Sequence, residues 1–135
     1  MSYPSALHRL LFAAFLLLLA ACGTLQRDKQ EATLEAALDA YGKALRWGYY
    51  ENANALVHPA ERRQVPEYLE KVRVTRYEVL LPPSRSGAGA ATQRVRIEYV
   101  HDDVQQVRKL TDLQTWRYDP ATKTWWLHSG MPAFR

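Results

Sequence analysis

Leu34, Ala37, Leu38, Tyr41, Leu45 and Tyr49 recur at helical spacing, while Glu31, Glu35, Asp39, Lys43 and Arg46 take the opposite side. That pattern predicts an amphipathic helix of about five turns with one buried stripe. Asp28 followed by Glu31 has capping-box spacing and marks its start. Asp39 and Lys43 form a favourable i,i+4 pair. Gly48 ends the helix or lets a neighbour approach closely. Glu51 to Val57 suits a second short helix stopped before Pro59, and Pro66 to Lys71 a third, with the proline in its first turn.

The period then changes from helical to alternating. Val72 and Val74, then Tyr77, Val79 and Leu81, are separated by polar residues, and the phase slips between Val74 and Tyr77 as a β-bulge would make it. Pro82 to Gln93, rich in proline, glycine, alanine and serine, reads as a mobile hairpin loop. Arg94 to Val100 alternates again, with Val95, Ile97 and Tyr99 inward and Arg94, Arg96 and Glu98 outward. Val104, Val107, Leu110 and Leu113 sit three apart, yet β-branched residues and neighbouring strands make Val104 to Thr115 a strand. Trp116 to Tyr118, a turn over Asp119-Pro120-Ala121-Thr122, and Lys123 to His128 form a C-terminal hairpin. Helices first and about four antiparallel strands afterwards give an α+β layout, with helices packed on a curved, cone-like sheet.

The first residues follow another pattern. Leu10 to Ala21 is an uncharged run of twelve, preceded by His8 and Arg9. At about 1.5 Å per residue it spans roughly 18 Å, against a bilayer core of about 30 Å. A basic start, a short apolar stretch and small residues at its end read as a secretory signal peptide. The alternative is an uncleaved anchor helix followed by an incidental cysteine. Cys22, the one cysteine of the chain, stands directly after the apolar run and has no partner for an internal disulfide.

Leu19-Ala20-Ala21-Cys22 resembles the lipobox of bacterial lipoproteins. The resemblance implies that residues 1–21 are removed, that Cys22 is lipidated, and that the mature protein begins there. Gly23 in the following position, by the same analogy, directs such a protein to the outer membrane, with its domain facing the periplasm. Two or more acyl chains give stable anchoring where one is marginal. Residues 22–27 are then a short lipidated tether and 28–135 a single α+β domain. Five extended residues reach at most about 18 Å, so the domain stays near the membrane surface.

Composition narrows the function classes. The 135 residues carry 18 Lys plus Arg against 14 Asp plus Glu, and 114 residues remain after the leader. That is one domain's worth of material, which excludes a long solenoid or a multi-span membrane protein. The mild positive balance falls well short of a nucleic-acid-binding composition, and no nucleic-acid partner is expected.

The order of elements is also similar to the nuclear transport factor 2-like, or ketosteroid-isomerase-like, cone fold. Gly48-Tyr49-Tyr50-Glu51-Asn52-Ala53 follows the outline of a glycine, an acidic residue, an aromatic and an alanine after a long first helix, with Tyr49 where Asp is common. The terminal Trp-Arg-Tyr-Asp and Trp-Trp-Leu hairpin is similar to the closing strands of many members. The fold hosts enzymes and non-enzymatic modules alike. Enzymatic members place an Asp or His inside the cone; no acid here aligns to such a position, so no catalytic residue is carried over.

Candidate chemistry is sparse. His58, His101 and His128 are far apart in sequence, and His101-Asp102-Asp103 suits a solvated turn as well as a metal or acid–base site. No serine elbow, phosphate loop or zinc spacing occurs, so no metal or cofactor is expected. Arg73, Arg94, Arg96 and Arg108 lie on strand positions, where they share a contact face or pair with Glu78 and Glu98. Trp125 and Trp126 are adjacent in a strand and so point to opposite faces: one enters the core and the other covers something else.

The leading expectation is a lipid-anchored outer-membrane protein whose domain is a non-enzymatic binding or accessory module of an envelope complex. Cys22 serves attachment and Trp125, Trp126, Arg94 and Arg96 meet an envelope protein partner. A second expectation is a cone cavity holding a small apolar or lipidic ligand, lined by Tyr41, Tyr77, Tyr99 and Trp116, unless those aromatics simply fill it. Acid–base catalysis of the ketosteroid-isomerase type ranks third.

Overall fold

The computed structural model describes residues 4–87 and 89–135, excepting the side chains of residues 4–7 and 19–21. Its elements run α1 (Pro4–Arg46), α2 (Tyr50–Ala55), a 3-10 turn (Glu67–Lys71), β1 (Val72–Arg85), β2 (Ala90–His101), β3 (Val107–Asp119) and β4 (Thr124–Leu127). By contacts the chain divides into two compact units between Thr33 and Leu34.

The first unit is helical from Pro4. Helix α1 therefore does not begin at Asp28; Asp28 and Glu31 lie inside it, and residues 22–27 are helical rather than extended. The physical reason is that nothing breaks it: the leucine- and alanine-rich run, Gly23 aside, passes directly into helix-forming residues, and a cap requires a break before it. Leu10, Leu11, Phe12 and Leu16–Leu18 are exposed. By length and composition α1 contains a window apolar enough to cross a membrane.

In the second unit α1 buries Leu34, Leu38, Tyr41 and Leu45 of the predicted stripe, and Ala44 beside them, while Ala37 is half-buried. Its end is set by Gly48, whose φ of 75° lies in the left-handed region. The Tyr49 N–H donates to the Ala44 carbonyl at 2.8 Å and the Gly48 N–H to the Leu45 carbonyl at 3.3 Å, a Schellman closure. This reversal moves Tyr49 out of the stripe into solvent and brings Tyr50 into the core instead.

The four strands form one antiparallel sheet in the order β1-β2-β3-β4, curved and unclosed, with the helix against one face. The class is α+β, as the change of period predicts. The register of β1 on β2 shifts between Val74 and Arg76, where the phase of the sequence slips. Pro82 to Gln93 is not a long loop: β1 continues to Arg85 and β2 starts at Ala90. The two prolines are tolerated because β1 is an edge strand and they sit at an irregularity between Leu81 and Ser84, where missing N–H groups cost no ladder. They also blunt that edge against pairing with another strand. At the opposite edge the segment after α2 pairs in parallel with β4 through Val57 and Leu127.

β3 is a single strand from Val107 through Asp119, and Val104 lies outside it in the turn, exposed. The turn before β4 is closed by Asp119, whose carboxylate accepts from the Ala121 N–H and the Thr122 hydroxyl, both at 2.9 Å. The C-terminal tail is strapped to β2: Phe134 is buried edge-on against Tyr99, whose hydroxyl donates to the Arg135 carbonyl at 2.6 Å.

Candidate functional site

The inner face of the sheet is set by register. Val95 pairs with Asp112, Gln93 with Gln114 and Ala91 with Trp116, so the even positions of β3 point toward the helix with the odd positions of β2. Val95, Ile97, Trp116 and Leu127 make this face apolar at its centre. Three of its buried positions are polar: Gln93, Asp112 and Gln114.

Gln114 is the hub. Its Nε2 donates to the Tyr77 hydroxyl at 2.9 Å and to Asp112 Oδ2 at 3.0 Å. Its Oε1 accepts from Gln93 Nε2 at 3.3 Å and from the Trp116 indole N–H at 3.4 Å. Two donors and two acceptor sites are the whole capacity of a glutamine side chain, so Gln114 is saturated. Tyr41 packs edge-on against Trp116 at 5.7 Å between ring centres, and its buried hydroxyl has no hydrogen-bond partner among the described residues.

Burial dominates the electrostatics of this cluster. It pushes the Asp112 carboxyl above its ordinary range, opposed by the hydrogen bond from Gln114. It pushes Tyr77 up to about 12, with the Gln114 bond pulling the other way. Tyr41 is raised well above the usual phenol range by burial first and by the charge of Asp112 second. Such a cluster holds protons tightly. Asp112 is not among the residues that line the adjoining groove.

That groove, about 390 Å³, runs between α1 and β1, walled by Leu38, Asp39, Gly42, Lys43, Arg46, Tyr77, Val79 and Gln93. Of the four aromatics expected to line a cavity, Tyr77 alone does so. Tyr41, Tyr99 and Trp116 are buried in the core they fill. Gly42 permits the arrangement, since a Cβ there would stand 3.1 Å from Cε1 of Tyr77.

The outer face carries Arg94 and Arg96, both exposed as the alternation predicts. Arg96 lies 3.8 Å from Glu78, and Lys109 3.1 Å from Glu98. Arg108 is on the inner side by register, opposite Tyr99, and so does not join this face. Trp125 and Trp126 point to opposite sides. Trp125 is 2% exposed and belongs to the core, paired across the strands with Tyr118. Its side chain is therefore not a surface contact in the folded domain, because its parity is that of Leu127. Trp126 is half-buried, edge-on to His58 at 6.2 Å.

His58 and His128, distant in sequence, stack at 4.5 Å because the Val57–Leu127 bridge brings their strands together. Burial lowers the pKa of His128, and the neighbouring His58 and Arg117 lower it further against the pull of Glu61. Among the described residues no group of three or more His, Cys, Asp or Glu side chains is arranged to hold a metal ion. Cys22 is exposed and unpaired, while the side chains of Leu19, Ala20 and Ala21 lie outside the described residues.

Two features escaped the sequence reading. The buried pair Asp112 and Gln114 is one, and its signal was parity with Trp116, hidden by the three-residue spacing of Val107, Leu110 and Leu113. Trp47 is the other: it is 69% exposed beside Tyr49 at 62%, flanking the Gly48 turn.

No family model, curated protein or solved structure matches this chain.

Proposed function

We propose that the chain is an exported lipoprotein, anchored through acylated Cys22 and sorted to the outer membrane by Gly23. Its α+β domain, of the nuclear transport factor 2-like cone type, then acts as a non-enzymatic binding or accessory module of an envelope complex. The observation that carries the reading is an exposed apolar helical stretch leading directly into the chain's lone, exposed cysteine. An interior filled by Tyr41 and Trp116 supports a module that works through its surface.

The test is the mass of the N-terminal peptide of the protein from membranes, after feeding cells an alkyne-bearing fatty acid. The expected result is a peptide that starts at a modified Cys22 and takes up the label. C22A is expected to abolish the label. An unmodified cysteine in a chain that still begins at Met1 overturns the reading.

The groove beside Tyr77 favours a second reading, a small apolar ligand held between α1 and β1. Native mass spectrometry checks it: a retained molecule lost in Val79→Glu supports it, and the bare chain mass in both proteins removes it.

A further inference from the structure

The outer face of the sheet contains two kinds of cross-strand row. In one kind the charges answer each other: Arg96 stands 3.8 Å across the strands from Glu78, which Arg76 also approaches to 3.9 Å along β1, and Lys109 stands 3.1 Å from Glu98. The other kind is the row Leu81–Arg94–Leu113, where Arg94 stands between two leucines that are 52% and 53% exposed. Arg94 makes no ion pair or side-chain hydrogen bond among the described residues. Arg117 follows Leu113 by four residues on β3, roughly 13 Å along the strand. It pairs in register with Trp126 and is likewise without an ion pair among the described residues.

A solvated sheet face is ordinarily stabilised by opposite charges across strands. This strip breaks that habit twice, with cations left unanswered and leucines left in water. We propose that the strip is a docking surface for an acidic, leucine-like segment of a partner protein. Carboxylates of that segment meet Arg94 and Arg117, and its apolar side chains cover Leu81, Leu113 and Trp126. The inference rests on the binding-module reading above and names the chemistry of the partner.

Charge complementarity selects an acidic occupant, and the number of free cations selects protein over lipid. Anionic membranes are recognised by clusters of roughly four to eight lysines and arginines. Here the other four cations of the face have three carboxylates within reach: Arg76 and Arg96 share Glu78, Lys109 meets Glu98, and Arg73 lies 3.9 Å from Asp102. Two separated guanidinium forks suit bidentate pairing with carboxylates, and apolar neighbours strengthen such pairs by excluding water.

The test is site-specific photo-cross-linking in the cells that make the protein, using the full chain with a photoreactive residue at Leu113 or, separately, at Trp47. The expected result is a protein adduct at Leu113 whose mapped contact peptide is rich in Asp and Glu. In the double variant Arg94→Glu, Arg117→Glu that adduct falls about tenfold or more, while thermal unfolding of the domain is unchanged. Persistence of the adduct in the double variant overturns the proposal, as does a contact peptide without carboxylates. Cross-linking to lipid alone also overturns it, in favour of a membrane surface. An adduct at Trp47 with none at Leu113 overturns this surface but leaves the binding module standing. Absence at both positions removes both.

Discussion

Along β2, Val95 and Ile97 are fully enclosed, while Arg94 and Arg96 stand in solvent one residue away. The inner face surrounds Gln114 with four hydrogen bonds and fills the remaining space with Trp116, Tyr41 and Leu127. The outer face answers some charges and leaves Arg94 between two exposed leucines. The difference is one of tolerance. A buried polar group left without a partner costs about 1–3 kcal/mol, as the Tyr41 hydroxyl does here, whereas water completes whatever the surface omits. The inner face is therefore where stability is concentrated, and the outer face is free to carry recognition.

The strongest way to break that comparison is Gln114→Leu. It strands the Tyr77 hydroxyl, the Asp112 carboxyl, the Gln93 amide and the Trp116 N–H together. The expected loss is about 3 kcal/mol or more in urea unfolding. A loss below about 1 kcal/mol would mean that the cluster is solvated and the inner face is not the closed structure described.

Gly42→Ala comes next. Alanine favours a helix over glycine by about 1 kcal/mol, yet its Cβ would press on the Tyr77 ring at 3.1 Å. Tyr77 is held by Gln114, so it yields poorly, and overpacking of this kind costs about 1–3 kcal/mol. The expected outcome is a net loss of about 1 kcal/mol in thermal or urea unfolding; a gain would show that the ring is free to move.

Asp112→Asn sharpens the contrast through pH. Burial raises the carboxyl's pKa, so the folded protein binds its proton more readily than the unfolded chain. Stability from this group therefore falls as pH rises from the unfolded value through the folded one, and the penalty is complete above it. Asparagine carries no such penalty and still accepts from Gln114. The variant is expected to be more stable than the parent at neutral pH, and to lose the Asp112 contribution to the decline above pH 4. Unfolding curves across that range decide it, and an unchanged pH slope would show Asp112 to be solvated.

Arg94→Ala gives the smallest expected effect, within about 0.5 kcal/mol, because the side chain is exposed and has no ion pair among the described residues. A larger loss in urea unfolding would show that Arg94 serves the fold and not a surface.

Much of this domain was legible from pattern. The stripe from Leu34 to Leu45, the slip between Val74 and Tyr77 and the alternation of β2 each follow from one local period, and each is in the structure. Composition alone misled over Pro82 to Gln93, because proline reports a missing N–H and not whether the strand has a neighbour on that side. Helical spacing misled at Tyr49, because the single left-handed Gly48 breaks the period before it.

What the sequence by itself determined are properties carried by a few neighbouring residues: the apolar N-terminal run and the cysteine that follows it, the helical stripe, the strand periods and the opposite facing of Trp125 and Trp126. Tertiary structure decided what depends on register and pairing between distant segments. It chose which phase of β3 faces inward, and so buried Asp112 and Gln114. It joined Val57 to Leu127, and so stacked His58 on His128. It set Leu81, Arg94 and Leu113 in one row. The reason is physical: side-chain period is local, but a shift of one residue in register exchanges the two faces of a strand, and only the partner strand fixes that choice.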